Sequence, residues 1–205
     1  VRREVIHLEE KTLYGYAWNK VYRVQSLRES GVVFEKITLI EDIKFNVSYF
    51  DSVCSMNVLN TTPYHYLKRI DGSLTNKFLP DYFTLNAERV FLVLEQYKNW
   101  GMCTEEVRRI LANIYVRYLF SALQRNCDKR SAMNHAQRKE WLKQQYKTPL
   151  CKELLSAVQA SGTLFKCMAK AFCAGNIPLC LMIARSIFAV KSTFPTVFST
   201  LKQQH

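Results

Sequence analysis

The stretch LIEDIKFNVSYF, from Leu39 to Phe50, carries the clearest helix signal in the first half of the chain. Its apolar residues recur at the spacing of one helix face, which predicts a helix over residues 42–53 with one side in a core. These apolar residues are Ile43, Val47, Phe50 and Cys54. Glu41 and Asp42 stand at its start, where an aspartate is a favoured N-cap and its charge suits the helix dipole. The pair is either a helix start or a site of chemistry.

The sequence pattern changes near residue 80. Before that point it predicts short helices over residues 5–13, 24–30 and 42–53, and short strands over residues 17–23, 54–59 and 63–69. After that point it is helical almost without interruption, with Gly and Pro as breaks. The helices predicted there cover residues 84–99, 104–126, 133–146, 148–160, 163–174 and 177–202, the last broken near Pro195. The fold class predicted is therefore α+β and mainly helical.

The positive charge is concentrated in the second half of the chain. The net charge of the 205 residues is +12. Residues 1–100 carry 13 Lys/Arg and 12 Asp/Glu, whereas residues 101–205 carry 16 and 5. This asymmetry predicts a polyanionic partner, either nucleic acid or an anionic membrane surface.

Cysteine spacing and hydropathy exclude several classes. The seven cysteines form no C-x-x-C pair and are odd in number, so neither a zinc site nor a complete disulfide framework is indicated. The most apolar run, Ile177–Val190, has 14 residues and contains Arg185, and a bilayer needs roughly 20. The first 20 residues lack the apolar region of a signal peptide.

Three segments within residues 14–78 form an ordered set: YGYAWNKVYR, LIEDIKFNVSYF and PYHYLKRIDGSLTNKF. The order W-N-K-x-Y, E-D-x-x-F-N, then Y-x-Y with basic residues and S-x-T resembles the acceptor-side part of a bacterial family 2 inverting glycosyltransferase of the GT-A fold. Such enzymes build capsule, O-chain and exopolysaccharide. The resemblance implies that residues 1–78 are the incomplete C-terminal portion of a GT-A α/β catalytic domain and residues 79–205 an all-helical extension.

The resemblance also implies roles for individual residues. An inverting transferase moves a sugar from a nucleotide diphosphate to an acceptor hydroxyl by direct displacement, so a carboxylate must take the hydroxyl proton. By resemblance Asp42 is this general base, and Glu41 shapes the acceptor pocket or orients Asp42. The residues implied to bind substrate are Trp18, Asn19, Lys20, His65, Lys68 and Arg69.

Each substrate-binding role has a structural alternative. Trp18 is equally well explained as a core aromatic, and the two residues after it as a solvated turn. His65 fits a hydrogen-bonded strand histidine. Lys68 and Arg69 are either surface charges or ligands of the donor diphosphate, for which guanidinium geometry is suited. Leu67 stands where many relatives carry Arg, which weakens the diphosphate role.

The donor half of such an enzyme is not found in this sequence. The resemblance implies a nucleotide-binding half with a D-x-D motif that holds Mg²⁺ or Mn²⁺ on the diphosphate, and neither that motif nor a βαβ unit occurs in the 205 residues. The chain is therefore expected to be inactive alone, with exposed apolar surface that makes it dimeric or aggregation-prone. The implied partners are a nucleotide-diphosphate sugar and a saccharide or lipid-linked acceptor, in the cytoplasm or at the inner face of the cell membrane.

A second hypothesis is a basic all-helical module that binds an anionic membrane surface or nucleic acid without catalysis. No helix-turn-helix, zinc-finger or RNP signature occurs, which argues against nucleic acid. For a membrane, the contact residues predicted after Gly162 are Phe165, Phe172, Leu181 and Phe188, with Lys166, Lys170 and Arg185. The structural alternative is that the same apolar stripes pack against the helices of residues 84–126.

Overall fold

The computed structural model describes residues 1–37, 39–61, 64–65 and 78–193. These residues form α-helices and contain no β-strand. The helices are α1 (Arg2–Glu10), α2 (Val24–Ser30), α3 (Glu41–Phe50), α4 (Tyr82–Asn99), α5 (Glu105–Arg125), α6 (His135–Lys147), α7 (Pro149–Leu154), α8 (Thr163–Cys173) and α9 (Ile177–Thr193). The prediction of a mainly helical chain is confirmed. Pro195, where the last helix was predicted to break, lies outside the described residues.

Helix α1, predicted over residues 5–13, begins and ends earlier, and helices α3 and α7 also end earlier than the pattern indicated. Helix α3 ends at Phe50 because Ser52 donates two hydrogen bonds to the carbonyl of Tyr49, one from its backbone N–H at 3.1 Å and one from its hydroxyl at 2.8 Å. Helix α7 gives way to a 3-10 turn at Leu155 because the side chain of Asn113 exchanges two hydrogen bonds with the backbone of Gln159, at 2.9 and 3.1 Å. In both places a polar side chain competes with the helix for the backbone.

The strands predicted for residues 17–23 and 54–59 are wrong. A short strand is stable only beside a partner strand. Next to the first segment, the carbonyls of Leu13, Tyr14 and Tyr16 accept hydrogen bonds from the Lys20 side chain rather than from a partner strand. In the second segment, residues 54–61 make no backbone hydrogen bond to another described residue. Of the segment predicted over residues 63–69, only Tyr64 and His65 lie within the described residues, and neither is in a strand. The described residues thus give no sign of a GT-A α/β layer.

The chain forms two compact units. The first unit comprises Val1–Lys77 and Thr84–Leu111. Its core combines apolar side chains of α1, α3 and α4 with aromatic rings from the same helices and from the turn after α1. Its most deeply buried members include Val5, Ile6, Tyr14, Ile43, Phe50, Val93, Leu94 and Tyr97. Several apolar side chains of this unit are nevertheless exposed, namely Val21, Val33, Phe34, Val58 and Leu59.

The second unit comprises Phe78–Phe83 and Ala112–His205. Helix α6 begins with a capping box, in which the Asn134 side chain accepts from the Gln137 N–H and Gln137 caps the Asn134 N–H in return. Helices α6, α8 and α9 pack on one another. The largest fully buried side chains described in this unit are Leu119, Phe120, Leu123, Leu142, Leu154 and Phe172. The boundary predicted at residue 78 belongs to the glycosyltransferase hypothesis and stays a prediction.

The seven cysteines are all free thiols, of which Cys151 and Cys180 are buried. Within the part of the chain that the structure describes, no helix combines the length and apolar character needed to cross a membrane.

Candidate functional site

Asp42 lies in the first turn of α3, one residue after the helix begins. The N-cap of α3 is Ile40, with no side-chain cap hydrogen bond, so the assignment of Asp42 as the N-cap is wrong. Its Oδ2 accepts instead from the backbone N–H of Ala17, at 3.1 Å. The physical reason is that a donor outside the helix satisfies the carboxylate. Asp42 thereby connects α3 to the turn that carries Trp18.

Lys20 holds that turn together from inside. Its Nζ donates to the carbonyls of Leu13 at 2.8 Å, Tyr14 at 2.9 Å and Tyr16 at 2.6 Å, and contacts Oδ1 of Asn19 at 2.9 Å. The Asn19 amide also donates to the carbonyl of Leu13, at 2.9 Å. The two predicted substrate-binding residues therefore shape the turn rather than extend from it.

The electrostatic surroundings of Lys20 follow from its position. The pKa of Lys20 is lowered to about 8, mainly by burial and to a smaller extent by the nearby charge of Arg89, although the charges of Asp42 and Glu9 raise it. Burial raises the pKa of Tyr22, and the negative charge of Asp42 raises it further. The Asp42 carboxylate is thus close enough to influence both a cation and a phenol.

An aromatic stack lies beside this turn. The Trp18 ring stacks on Tyr64, with centroids 4.9 Å apart, and packs against Tyr16 at 5.1 Å. The exposed fractions are 40% for Trp18, 38% for Tyr16 and 52% for Tyr64. The interpretation of Trp18 as a core aromatic is therefore wrong. His65 follows Tyr64 in the chain and is exposed, outside any strand.

Below the site lies a network of buried polar side chains that the sequence did not single out. The buried Asn46 donates to the Tyr14 carbonyl at 2.9 Å and accepts from the Tyr22 hydroxyl at 2.7 Å. The Tyr14 hydroxyl donates to Gln96 at 2.8 Å, and Gln96 donates to the Val47 carbonyl at 2.7 Å. Asn46 could have been found as the last residue of E-D-x-x-F-N, whereas nothing in the sequence pointed to Gln96.

An ion pair supports the other side of the turn. Arg89 binds the buried Glu9 through two hydrogen bonds, at 2.8 and 2.7 Å. Gly15 lies against this guanidinium, because a Cβ there would stand 2.6 Å from Nη2 of Arg89. The need for glycine at this position is steric.

Glu41 differs from its neighbour Asp42. Its Oε2 is closed off from solvent and accepts no hydrogen bond from a described residue. No hydrogen bond joins the Glu41 and Asp42 side chains in the described ranges. Both residues are half-buried, and Asp42 is the one of the two whose carboxylate has a fixed donor.

Lys68 and Arg69 lie outside the described residues. Among the residues the structure covers, no group of three or more His, Cys, Asp or Glu could hold a metal ion. The Mg²⁺ or Mn²⁺ that the resemblance implies belongs to the nucleotide-binding half, and its presence stays a prediction.

The helices predicted to contact a membrane are partly committed to the core of the second unit. Phe172 and Leu181 are buried, and Phe172 stacks on Tyr146 with centroids 4.7 Å apart. Their burial in this core argues against a place for them on a flat membrane-contact face. Phe165 and Phe188 are half-buried. The exposed cations of this region are Lys166, Lys170 and Arg185.

The arrangement around Asp42 thus combines a held carboxylate with an exposed aromatic surface. A carboxylate that keeps one oxygen on a backbone N–H is fixed in orientation and can still accept a proton at the other oxygen. Comparisons with protein-family models, with curated proteins and with solved structures found no match to this chain.

Proposed function

We propose that this chain is the acceptor-side part of a family 2 inverting glycosyltransferase. One observation carries the proposal: three segments far apart in sequence meet at one place in the first unit. Ala17 in the first segment donates to Asp42 in the second at 3.1 Å, and Trp18 stacks on Tyr64 of the third at 4.9 Å. These are the segments that carry the resemblance.

In this proposal Asp42 is the general base. The acceptor hydroxyl loses its proton to Oδ1 of Asp42 while its oxygen attacks the anomeric carbon of the donor sugar. The bond between that carbon and the diphosphate oxygen breaks, and the electron pair leaves with the nucleotide diphosphate. The hydrogen bond from Ala17 keeps Oδ2 occupied, which directs the basic lone pair of Oδ1 to one place.

The aromatic stack is proposed to bind the acceptor sugar. Tyr and Trp rings offer an apolar face and a polar edge, and a sugar ring likewise has apolar faces and polar edges. Trp18 is 40% exposed although both neighbours stack on it. Lys20 and Asn19 act as positioning residues, because they hold the turn that presents Trp18 and the Ala17 N–H.

The nucleotide-binding half would be supplied from outside this chain, together with the Mg²⁺ or Mn²⁺ on the donor diphosphate. Exposed apolar side chains in the first unit support this, since Val21 is 96%, Val58 79% and Val33 74% exposed. Such side chains are typical of a surface that another element covers. The proposed acceptor is a saccharide or lipid-linked saccharide, and the proposed location is the cytoplasm or the inner membrane face.

The test is Asp42→Asn in the complete protein, with transfer of radiolabelled sugar from a panel of nucleotide-diphosphate sugars as the readout. Asparagine keeps the acceptor for the Ala17 N–H, so folding should be unchanged while turnover falls about 100-fold or more. The matched control is Asp81→Asn, at an exposed carboxylate outside the site. Wild-type turnover in Asp42→Asn would show that Asp42 is not the base.

A second substitution tests the aromatic stack. Trp18→Ala should raise KM for the acceptor with a smaller effect on kcat, and Trp18→Phe should recover most of the loss. Equal kcat and KM in all three proteins would remove Trp18 from the acceptor site.

A second candidate function is peripheral membrane binding through α8. The observation that favours it is the outer face of this helix, where Leu164 is 58% exposed beside the exposed Lys166 and Lys170. Co-sedimentation with anionic vesicles at low and high salt tests it. Lys166→Glu and Lys170→Glu together should abolish binding, and negligible binding by the unsubstituted chain would exclude this candidate.

A further inference from the structure

A cavity of about 260 Å³ lies within the second unit, at the ends of three helices. Cys127, just after α5, and the first residues of α6 and α9 line it. One part of its wall is cationic and consists of Arg138, Lys139 and Arg185. Another part is apolar and includes Ile177, Leu181 and Met182. No Asp or Glu is among the lining residues.

The cations of this wall are not neutralised by the residues that the structure describes. Lys139 and Arg185 form no ion pair or hydrogen bond there. Arg138 donates one hydrogen bond, at 3.0 Å, to the carbonyl of Asn126, which also accepts from Ser131 at 2.9 Å. The side-chain nitrogen of Asn126 is buried without an acceptor.

Three like charges around one cavity repel one another, and an anion between them removes the repulsion. Arg138 and Arg185 line the same cavity as Cys127, and the charges of both lower the pKa of the Cys127 thiol, which burial raises. Arginine forks match phosphate oxygens in geometry. Helices α6 and α9 both begin at the cavity, so their dipoles add positive potential.

The apolar side restricts the ligand further. Leu181, which is buried, and Met182, which is 59% exposed, both line the cavity. An apolar group attached to the bound anion would therefore contact both side chains. We propose that this cavity binds the phosphate or diphosphate group of an amphiphile, with its apolar portion against Ile177, Leu181 and Met182. This site is separate from Asp42, and the proposal does not depend on the transferase.

The experiment is calorimetric titration of the 205-residue chain with octyl phosphate, inorganic phosphate and octanol, each below the concentration at which it aggregates. Octyl phosphate should bind saturably and at least about tenfold more tightly than inorganic phosphate, because only it contacts both walls. Octanol alone should not saturate the site. Equal affinity for octyl phosphate and inorganic phosphate, or no binding of either, would overturn the proposal.

Substitutions locate the binding to this cavity. Arg185→Gln and Lys139→Gln should each weaken octyl phosphate about tenfold, since a hydrogen bond to a charged group is lost. Lys152→Gln is the control, because it removes a positive charge from an exposed residue of the second unit that does not line the cavity. Met182→Ser should weaken octyl phosphate but leave inorganic phosphate unchanged. If Lys152→Gln weakens binding as much as Arg185→Gln, the attraction is only a general charge effect and the proposal fails.

The amphiphile could be a membrane lipid or a soluble phosphate ester, and flotation with vesicles separates these sources. Vesicles that contain phosphatidic acid should bind the chain, with octyl phosphate as a competitor, if the source is lipid. Binding of octyl phosphate that depends on Arg185, without vesicle binding, supports the same site with a soluble ligand. Vesicle binding that persists in Arg185→Gln and resists octyl phosphate counts against the cavity.

Discussion

The interiors of the two units differ in how they are held together. In the first unit the most buried polar side chains are Glu9, Asn46 and Gln96, at 1%, 0% and 3% exposure, and each is hydrogen-bonded. In the second unit the comparable residues, Asn113, Gln124 and Asn126, are 8–9% exposed and the centre is apolar. Directional hydrogen bonds therefore fix the geometry of the first unit, and side-chain packing fixes that of the second.

This difference has a functional consequence. A hydrogen-bonded interior specifies one arrangement, because each partner left unpaired costs its full desolvation energy. The turn that presents Ala17 and Trp18 rests on such an interior. A packed apolar interior tolerates volume changes more gradually. The predictions below test whether the two units respond to substitution in these two ways.

The largest effect is expected from Arg89→Met in the first unit. Removing the guanidinium leaves the Glu9 carboxylate buried and unpaired, which should lower the free energy of unfolding by about 3–5 kcal/mol. Urea denaturation followed by circular dichroism measures this. The control is the double variant Glu9→Gln/Arg89→Met, which should recover much of the loss because no charge is then buried. Equal stability of the single and double variants would contradict the proposed role of the ion pair.

A loss of about 3–4 kcal/mol is expected from Phe172→Ala in the second unit, because its ring is 1% exposed and a cavity would remain. Leu164→Ala on the same helix is the control and should change stability by less than about 0.5 kcal/mol, since Leu164 is exposed. Thermal and urea unfolding measure both. If Phe172→Ala is as stable as Leu164→Ala, the packing of α8 is not what stabilises this unit.

A smaller effect is expected from alkaline pH. Burial raises the pKa of Cys151 and of Cys180 to about 11. Above about pH 9 the unfolded thiols lose protons that the folded thiols retain, so stability falls as pH rises towards 11. The slope should be about 1.4 kcal/mol per pH unit for each retained proton. Urea midpoints from pH 8 to 10.5 measure it.

The control for this pH effect compares how steeply the stability of each variant falls with pH, not the stability at one pH. Cys151→Ala should flatten the dependence on pH, whereas Cys54→Ala, at an exposed thiol, should leave it as it is. A slope that is unchanged by Cys151→Ala would show that this thiol does not titrate differently in the folded chain.

The smallest effect is expected at the start of α6. Asn134→Ala removes the capping box and should cost about 1 kcal/mol. Asn134→Asp keeps an acceptor for the Gln137 N–H and places a negative charge at the helix N-terminus, so it should be neutral or slightly stabilising. A shift in the urea midpoint of equal size for both substitutions would mean that the cap contributes nothing specific.

The helices were largely predictable because their signals are local. Apolar spacing and Gly or Pro breaks located α4, α5, α6 and α8 within a few residues, and they located the start of α9. The strands were not predictable in the same way, since a strand needs a partner and local patterns do not supply one. The early end of α7 depends on Asn113, 46 residues away from Gln159, and no local pattern contains that information.

The site was predictable in its residue types but not in its contacts. The sequence placed Asp42 in the first turn of a helix, and it lies there. Its partner, the backbone N–H of Ala17, has no side-chain signal at all. Lys20 was assigned to substrate, whereas its ammonium group is surrounded by carbonyls of its own turn. Pairing between distant backbone and side-chain groups decides these roles.

Gly15 has a consequence for how this chain can change over generations of selection. Its hydrogen occupies the space in which a methyl group would meet the Arg89 guanidinium, at 2.6 Å. Which residues are tolerated at position 15 therefore depends on the residue at position 89. A library that varies residue 15 alone should return glycine. A library that also permits a short residue at position 89 and a neutral residue at position 9 should admit alanine at position 15. Replacement of Gly15 is thus coupled to the residues at positions 9 and 89, whereas those two can change while Gly15 stays.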